Sequence, residues 1–191
     1  MAVPLQSHVL RRPRGWRSEE AALFVAQLDD LSRLLWRDMA GASSAELVWQ
    51  PKRGLNTQGM LLAHMAIVEA FWIQRATTGV DDAKLERLLG IGVDDDGIPL
   101  PAGGTPPRAL HGWKVGDYRA LEARARSFTR RHVRRFTAAD LQESVRADRP
   151  GGPRRSFQRR WILHHLVEHY AGHYGQILLL RHLYRSRRAK R

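Results

Sequence analysis

Nine histidines are spread over the 191 residues, and three of them recur at a spacing that suits metal chemistry. His165, His169 and His173 stand at i, i+4 and i+8 in the run WILHHLVEHYAGHYGQILLLRHL. Each step of four turns about 40° around an α-helix and climbs about 6 Å, so neighbouring members share a face. Ile162, Leu166, His169, His173, Ile177 and Leu180 trace one apolar seam, which places His169 and His173 within it. Imidazoles turned into a core need partners, and a divalent ion supplies one. An HxxxH pair can put two nitrogens on such an ion, but a third ligand is required to hold it. His64 is the natural third, as the sole histidine of an earlier helix and on the side of that helix's apolar stripe. Three neutral imidazoles would leave the ion's charge uncompensated and coordination positions open for water or substrate. On spacing alone, a hydrogen-bonded core cluster explains the same pattern, and His165 can replace His173 in the pair or support the ligands from behind.

The remaining histidines carry less. His164 lies about 100° from His165 and is expected on the outer face, paired with Glu168 one turn on. His182 falls about opposite His173 and is expected in solvent, His132 is an outside candidate on the third helix, and His8 and His111 fall in segments without periodicity. Glu69 is five residues past His64, too far around the helix to share its ion; it and Glu168 read either as groups that orient ligands or relay protons, or as ordinary helix ion pairs. Asp94, Asp95 and Asp96 before Gly97 lack the ligand spacing of a calcium loop and read as a solvated turn. Trp49, Trp72, Trp113 and Trp161 read as packing residues. Gly172 and Gly175 flank His173 inside a helix, where glycine is costly, so close contact is expected there.

Four amphipathic segments must position these side chains. The first runs from about Ser18 to Met39, capped by Ser18 and stopped near Gly41. The second starts after Asn56 or Thr57 and ends at Gly79; the third spans about Val115 to Phe136; the fourth spans about Phe157 to Tyr184 after the breaker RADRPGGPRRS. Residues 79–112 form a connection rich in Gly, Pro and Asp, with room for one short helix at AKLERLL, and long enough to cover a site. No alternating strand pattern is sustained. The expectation is an all-α four-helix bundle with a long connection between its second and third helices, and with its site built from inward side chains on different helices.

Charge points elsewhere. The chain carries +13 at neutral pH, a balance that suggests an acidic partner such as nucleic acid. Arg11, Arg12, Arg14 and Arg17 at one end, and Arg185, Arg187, Arg188, Lys190 and Arg191 at the other, account for nine of those charges and leave +4 for the body. The reading is therefore a basic arm over residues 1–17, a bundle over 18–184 and a basic tail over 185–191, with nucleic-acid binding through the ends as the alternative not favoured. The chain has no cysteine, which excludes a disulfide scaffold, a thiolate metal site and covalent catalysis by its own thiol. No apolar run is long enough for a membrane span, and the N-terminal stretch lacks the apolar core of a secretory signal, so a cytoplasmic location is expected.

The run LVWQPKRGLNTQGMLLAHMAIVEAFW, with LHHLVEHYAGHYGQI about a hundred residues later, resembles the DinB/YfiT-like superfamily of metal-binding four-helix bundles, most nearly a DinB-like branch with few assigned functions. The likeness covers residues 18–183. It implies a metal triad of His64, His169 and His173, because His173-Tyr174-Gly175-Gln176 matches the family's His-x-Gly-Gln ending and so selects His173 over His165. Gln176 then joins His165, Glu168 and Glu69 as a residue that could support the ligands. Members with assigned functions include S-transferases that use small bacterial thiols and a thiol-dependent maleylpyruvate isomerase. The resemblance thus implies a small-molecule substrate, a divalent ion with zinc first and nickel, iron or manganese as alternatives, a low-molecular-weight thiol cosubstrate, and a homodimer. Hydrolysis by metal-activated water would use the same open site.

Overall fold

The computed structural model describes residues 9–146 and 154–189. Most of the breaker, residues 147–153, and His8 lie outside the described residues. The helices are α1 (Glu19–Asp38), α2 (Ser44–Leu47), α3 (Gln58–Thr77), α4 (Asp82–Leu89), α5 (Val115–Val133) and α6 (Arg159–Ala189); β1 (Ser144–Arg146) and β2 (Ser156–Gln158) form a short antiparallel pair with Val145 opposite Phe157. The protein is all-α in architecture, a bundle of α1, α3, α5 and α6.

Local chemistry sets the helix starts. Ser18 accepts from the Ala21 amide, Thr57 from Met60 and Asp81 from Lys84, each satisfying an amide that the first turn leaves without a partner. Helix α1 carries Glu19 and Glu20 in its first turn, where the helix dipole favours them. Helix α4 stops at Gly90, whose φ of 73° belongs to the left-handed region that glycine adopts without strain.

Contacts between helix ends fix the topology. Glu20 pairs with Arg160 and the Ala40 carbonyl accepts from Arg181, so α1 and α6 are parallel. The Ala76 carbonyl accepts from Arg159, which turns α3 against α6. Helices α3 and α5 begin side by side, with Gly59 so close to the Tyr118 hydroxyl that a Cβ would collide with it. The Arg17 amide donates to the Arg134 carbonyl, making α1 and α5 antiparallel. The order is up, down, down, up. Two successive parallel helices require the chain to return the length of the bundle between them, which is why residues 78–114 form a long crossover.

Helix α3 is buried on most of its faces, including Met60, Leu61, Ala63, Ile67, Ala70 and Ile73. It packs against both α5 and α6. Helix α6 runs to Ala189, so residues 185–189, read from the sequence as tail, continue a helix, and the Arg187 guanidinium lies over the Trp49 ring. At the other end, Arg12 pairs with Glu19. Terminal arginines are thus partly engaged with the bundle. Among the described residues, no helix is long and apolar enough to cross a membrane.

Candidate metal centre

His64 sits in the second turn of α3, and His169 and His173 lie one turn apart near the middle of α6, which runs in the opposite direction beside it. Their side chains converge. The Nε2 atoms of His64 and His169 are 3.2 Å apart, and those of His169 and His173 are 3.0 Å apart. One nitrogen from each of the three lies within 4.8 Å of the other two. All three residues are half-buried.

The opposite ring nitrogens explain why the Nε2 atoms turn inward. His64 Nδ1 is 2.9 Å from Asp96 Oδ2, and His173 Nδ1 is 2.9 Å from Gln176 Oε1. A carboxylate and an amide oxygen only accept, so each Nδ1 carries the proton and donates it, leaving the Nε2 lone pair facing the other imidazoles. Burial pushes the His169 pKa down to about 3, helped by His173, His64 and His165. Burial also lowers His173, partly offset by its bond to Gln176.

This donor set fits a divalent ion. At most one proton remains to be shared among three converging nitrogens, so lone pairs of the same sign face each other at contact distance. Nitrogens bound at about 2.0–2.1 Å in a tetrahedral site stand about 3.3 Å apart, close to the separations here. The hydrogen bonds from Nδ1 to Asp96 and Gln176 are the outer support by which metal-ligating histidines are oriented.

Asp96 corrects the sequence reading of its loop. Far from lying in a solvated turn, it is 2% exposed. Its Oδ1 accepts from the Ile98 amide at 2.8 Å while Oδ2 reaches His64. The crossover brings the carboxylate, 32 residues along the chain, back to the α3 ring that it supports. Only the Asp-Gly turn in a connection long enough to cover a site hinted at it.

The other sequence candidates fall elsewhere. Glu69 is buried and accepts from the Arg126 guanidinium through both carboxylate oxygens, at 2.8 and 3.0 Å, so it is an interhelical ion pair and not a support for the imidazoles. Glu168 is exposed, and the ring nitrogen beside its carboxylate is Nδ1 of His165, at 3.7 Å, rather than one of His164. His165 stacks on Trp161 with its ring 5.6 Å from that of His169. His182 is exposed, and His132 packs against Phe128. The tight contact expected at Gly172 and Gly175 is not there: both are exposed, with nothing within 4 Å of where a Cβ would stand. The backbone flanking His173 is bare.

An up-down-down-up bundle with three histidines converging from its second and last long helices defines a DinB/YfiT-like protein. More particularly, residues 23–186 match the mycothiol-S-transferase family, and the chain belongs to it. No curated protein matches the sequence.

Proposed function

We propose that the protein is a divalent-metal-dependent S-transferase that joins a low-molecular-weight thiol of the mycothiol type to an electrophilic small molecule. The observation that carries this reading is the convergence of three imidazole Nε2 atoms in a chain that belongs to a thiol-transferase family. His64, His169 and His173 would hold the ion, with zinc the first candidate and nickel, iron or manganese the alternatives. When bound, the ion supplies positive charge that keeps a cosubstrate thiol ionised at neutral pH.

The chain's own residues do the rest. Asp96 and Gln176 hold two imidazoles in the tautomer and orientation that present Nε2. Burial keeps His169 unprotonated. The bare backbone at Gly172 and Gly175 leaves a way in beside His173. In the overall transfer, the thiol proton passes to solvent, a carbon–sulfur bond forms at the electrophilic carbon, and the leaving group departs with its bonding pair. The absence of cysteine in the chain requires that the sulfur come from the cosubstrate.

The test is metal analysis of protein purified without a histidine tag, joined to a thiol-consumption assay. Near-stoichiometric metal that is lost in His169→Ala, together with turnover that needs both metal and thiol, is the expected result. A protein that neither retains nor takes up divalent ions would overturn the reading. Ester hydrolysis that proceeds without thiol would replace the transferase with a hydrolase at the same histidines.

A further inference from the structure

Away from the helices that carry the three histidines, α1 and α5 frame two cavities of about 680 and 630 Å³. Asp29, Ser127 and Arg130 line both, so the two form one trough. It follows α5 from Arg119 to Arg134, a path of about 22 Å at 1.5 Å per residue. The carboxylates of its wall are engaged. Asp29 accepts from Arg126 through one oxygen and from Arg130 through the other, and Glu122 accepts from Ser32, Trp36 and Tyr170. Arg33 and Arg37 pair with Asp30 and Asp38. Four further arginines of the lining have no carboxylate partner among the described residues: Arg14, Arg119, Arg131 and Arg134. Arg119 stands 5.9 Å from the centroid of the Trp36 ring, and the other three surround the second cavity.

The helix dipole favours basic residues at the end of α5, which accounts for Arg131 and Arg134 without any ligand. It does not account for Arg14. That residue belongs to the N-terminal arm, which the bond from the Arg17 amide to the Arg134 carbonyl lays against α5, so a third guanidinium is brought to a cavity that two already line. The positive field is felt nearby: burial lowers the pKa of His132, and Arg131 and Arg135 lower it further. We propose that the α1–α5 trough binds the backbone of a single-stranded nucleic acid. A series of fixed cations along a concave channel suits a flexible chain that carries one phosphate after another, whereas a compact anion would meet the arginines of one end only. Trp16, half-buried in the wall beside Arg14, adds an indole, and bases stack on aromatic rings whatever their identity. A single strand enters a trough between two helices, while a duplex rests on its rims. The surface lies apart from the basic tail, and the inference does not rest on the transferase reading.

The experiment follows the fluorescence anisotropy of a labelled thymidylate strand of about 12 nucleotides as the full-length protein is added at several salt concentrations. Saturable binding that weakens with salt is expected. Replacing Arg14, Arg131 and Arg134 together by Ser should weaken binding roughly tenfold or more and reduce the salt slope by about 2, since each phosphate contact on a single strand contributes about 0.7. All three side chains are exposed, so folding tolerates the change, and the melting temperature checks it. Lysine at the same three positions should keep most of the affinity, because a phosphate backbone reads charge. Replacing Arg185, Arg187 and Arg188 by Ser removes the same charge from the other end of the chain and should weaken binding less than about twofold. Equal losses in the two serine variants would overturn the proposal. So would a duplex of the same length that binds more tightly than the strand, or a wild-type protein that binds no strand at about 50 mM salt.

Discussion

Helices α3 and α6 each present polar side chains in two places, and the two clusters are built on opposite principles. On one side, Arg126 of α5 gives Nε and one terminal nitrogen to Glu69 and the other to Asp29. Beside it, Glu122 accepts from the Ser32 hydroxyl at 2.5 Å, the Tyr170 hydroxyl at 2.6 Å and the Trp36 indole. Donors meet acceptors throughout, and the four long helices are tied together with protein atoms alone. On the other side, one residue along from Tyr170, His169 turns towards His64 and His173, and three nitrogens of like character face each other. The first cluster is complete as it stands. The second turns ring nitrogens of like character towards one another, and this difference separates a network that ties the helices together from a donor set that fits a divalent ion.

Removing the cation from the complete cluster should have the largest effect. Arg126→Met strands buried Glu69 without its guanidinium, leaves Asp29 with Arg130 alone and removes one neighbour of Glu122, and breaking a buried pair in this way costs about 3–5 kcal/mol. Urea denaturation would read that loss, while metal bound per folded molecule should be unchanged. A drop in metal stoichiometry among folded molecules would show that the two clusters are not separate. In the other direction, Asp96→Asn should leave folding nearly intact and weaken metal binding about 10–100-fold, because His64 loses a charged hydrogen-bond partner. Competition with a chromogenic chelator measures it, and an affinity equal to wild type would remove Asp96 from the site.

The same contrast explains what was legible in the sequence. The long helices announce themselves by periodicity and caps, and His169 and His173 by lying in the seam of one of them. The complete cluster is half visible: Glu69 reads equally as an ion pair or as a ligand support, and only the packing of α5 on α3 shows that Arg126 claims it. Asp96 is illegible for a physical reason. It acts from a crossover without periodicity, and its burial comes from the return of that crossover onto α3, which no local pattern encodes. Trp161 and Trp72 read as packing residues and do pack together, yet the cavity they line depends on how α6 sits beside α3 and β2. At Gly172 and Gly175 the cost of glycine in a helix is real, but open space, not contact, accompanies the missing side chains.

Acid should separate the clusters more gently. The folded-state pKa of His169 lies near 3, below the value of about 6.5 expected in the unfolded chain, so the unfolded chain takes up the proton first as pH falls. Stability of the metal-free protein is therefore full above about pH 6.5 and is lost progressively towards pH 3, with His173 acting in the same direction. His169→Gln should flatten the dependence of unfolding free energy on pH over that window by as much as one proton. An unchanged slope would mean that the interior does not hold this imidazole neutral.

The smallest effect should come from the bare backbone beside the three imidazoles. Gly172 lies within α6, is exposed, and has nothing within 4 Å of the position an added methyl would take, so Gly172→Ala meets no obstacle. Relieving a helix of glycine stabilises it by about 0.5–1 kcal/mol, and a rise of that size in a denaturation curve is expected. If the space beside His173 served only to spare the helix a contact, nothing else would change. If it admits the cosubstrate, the same methyl should raise the KM for thiol several-fold while leaving the KM for the electrophile alone. A side chain that improves folding and impairs one substrate would locate the entrance, whereas equal KM values would place it on another side of the three imidazoles.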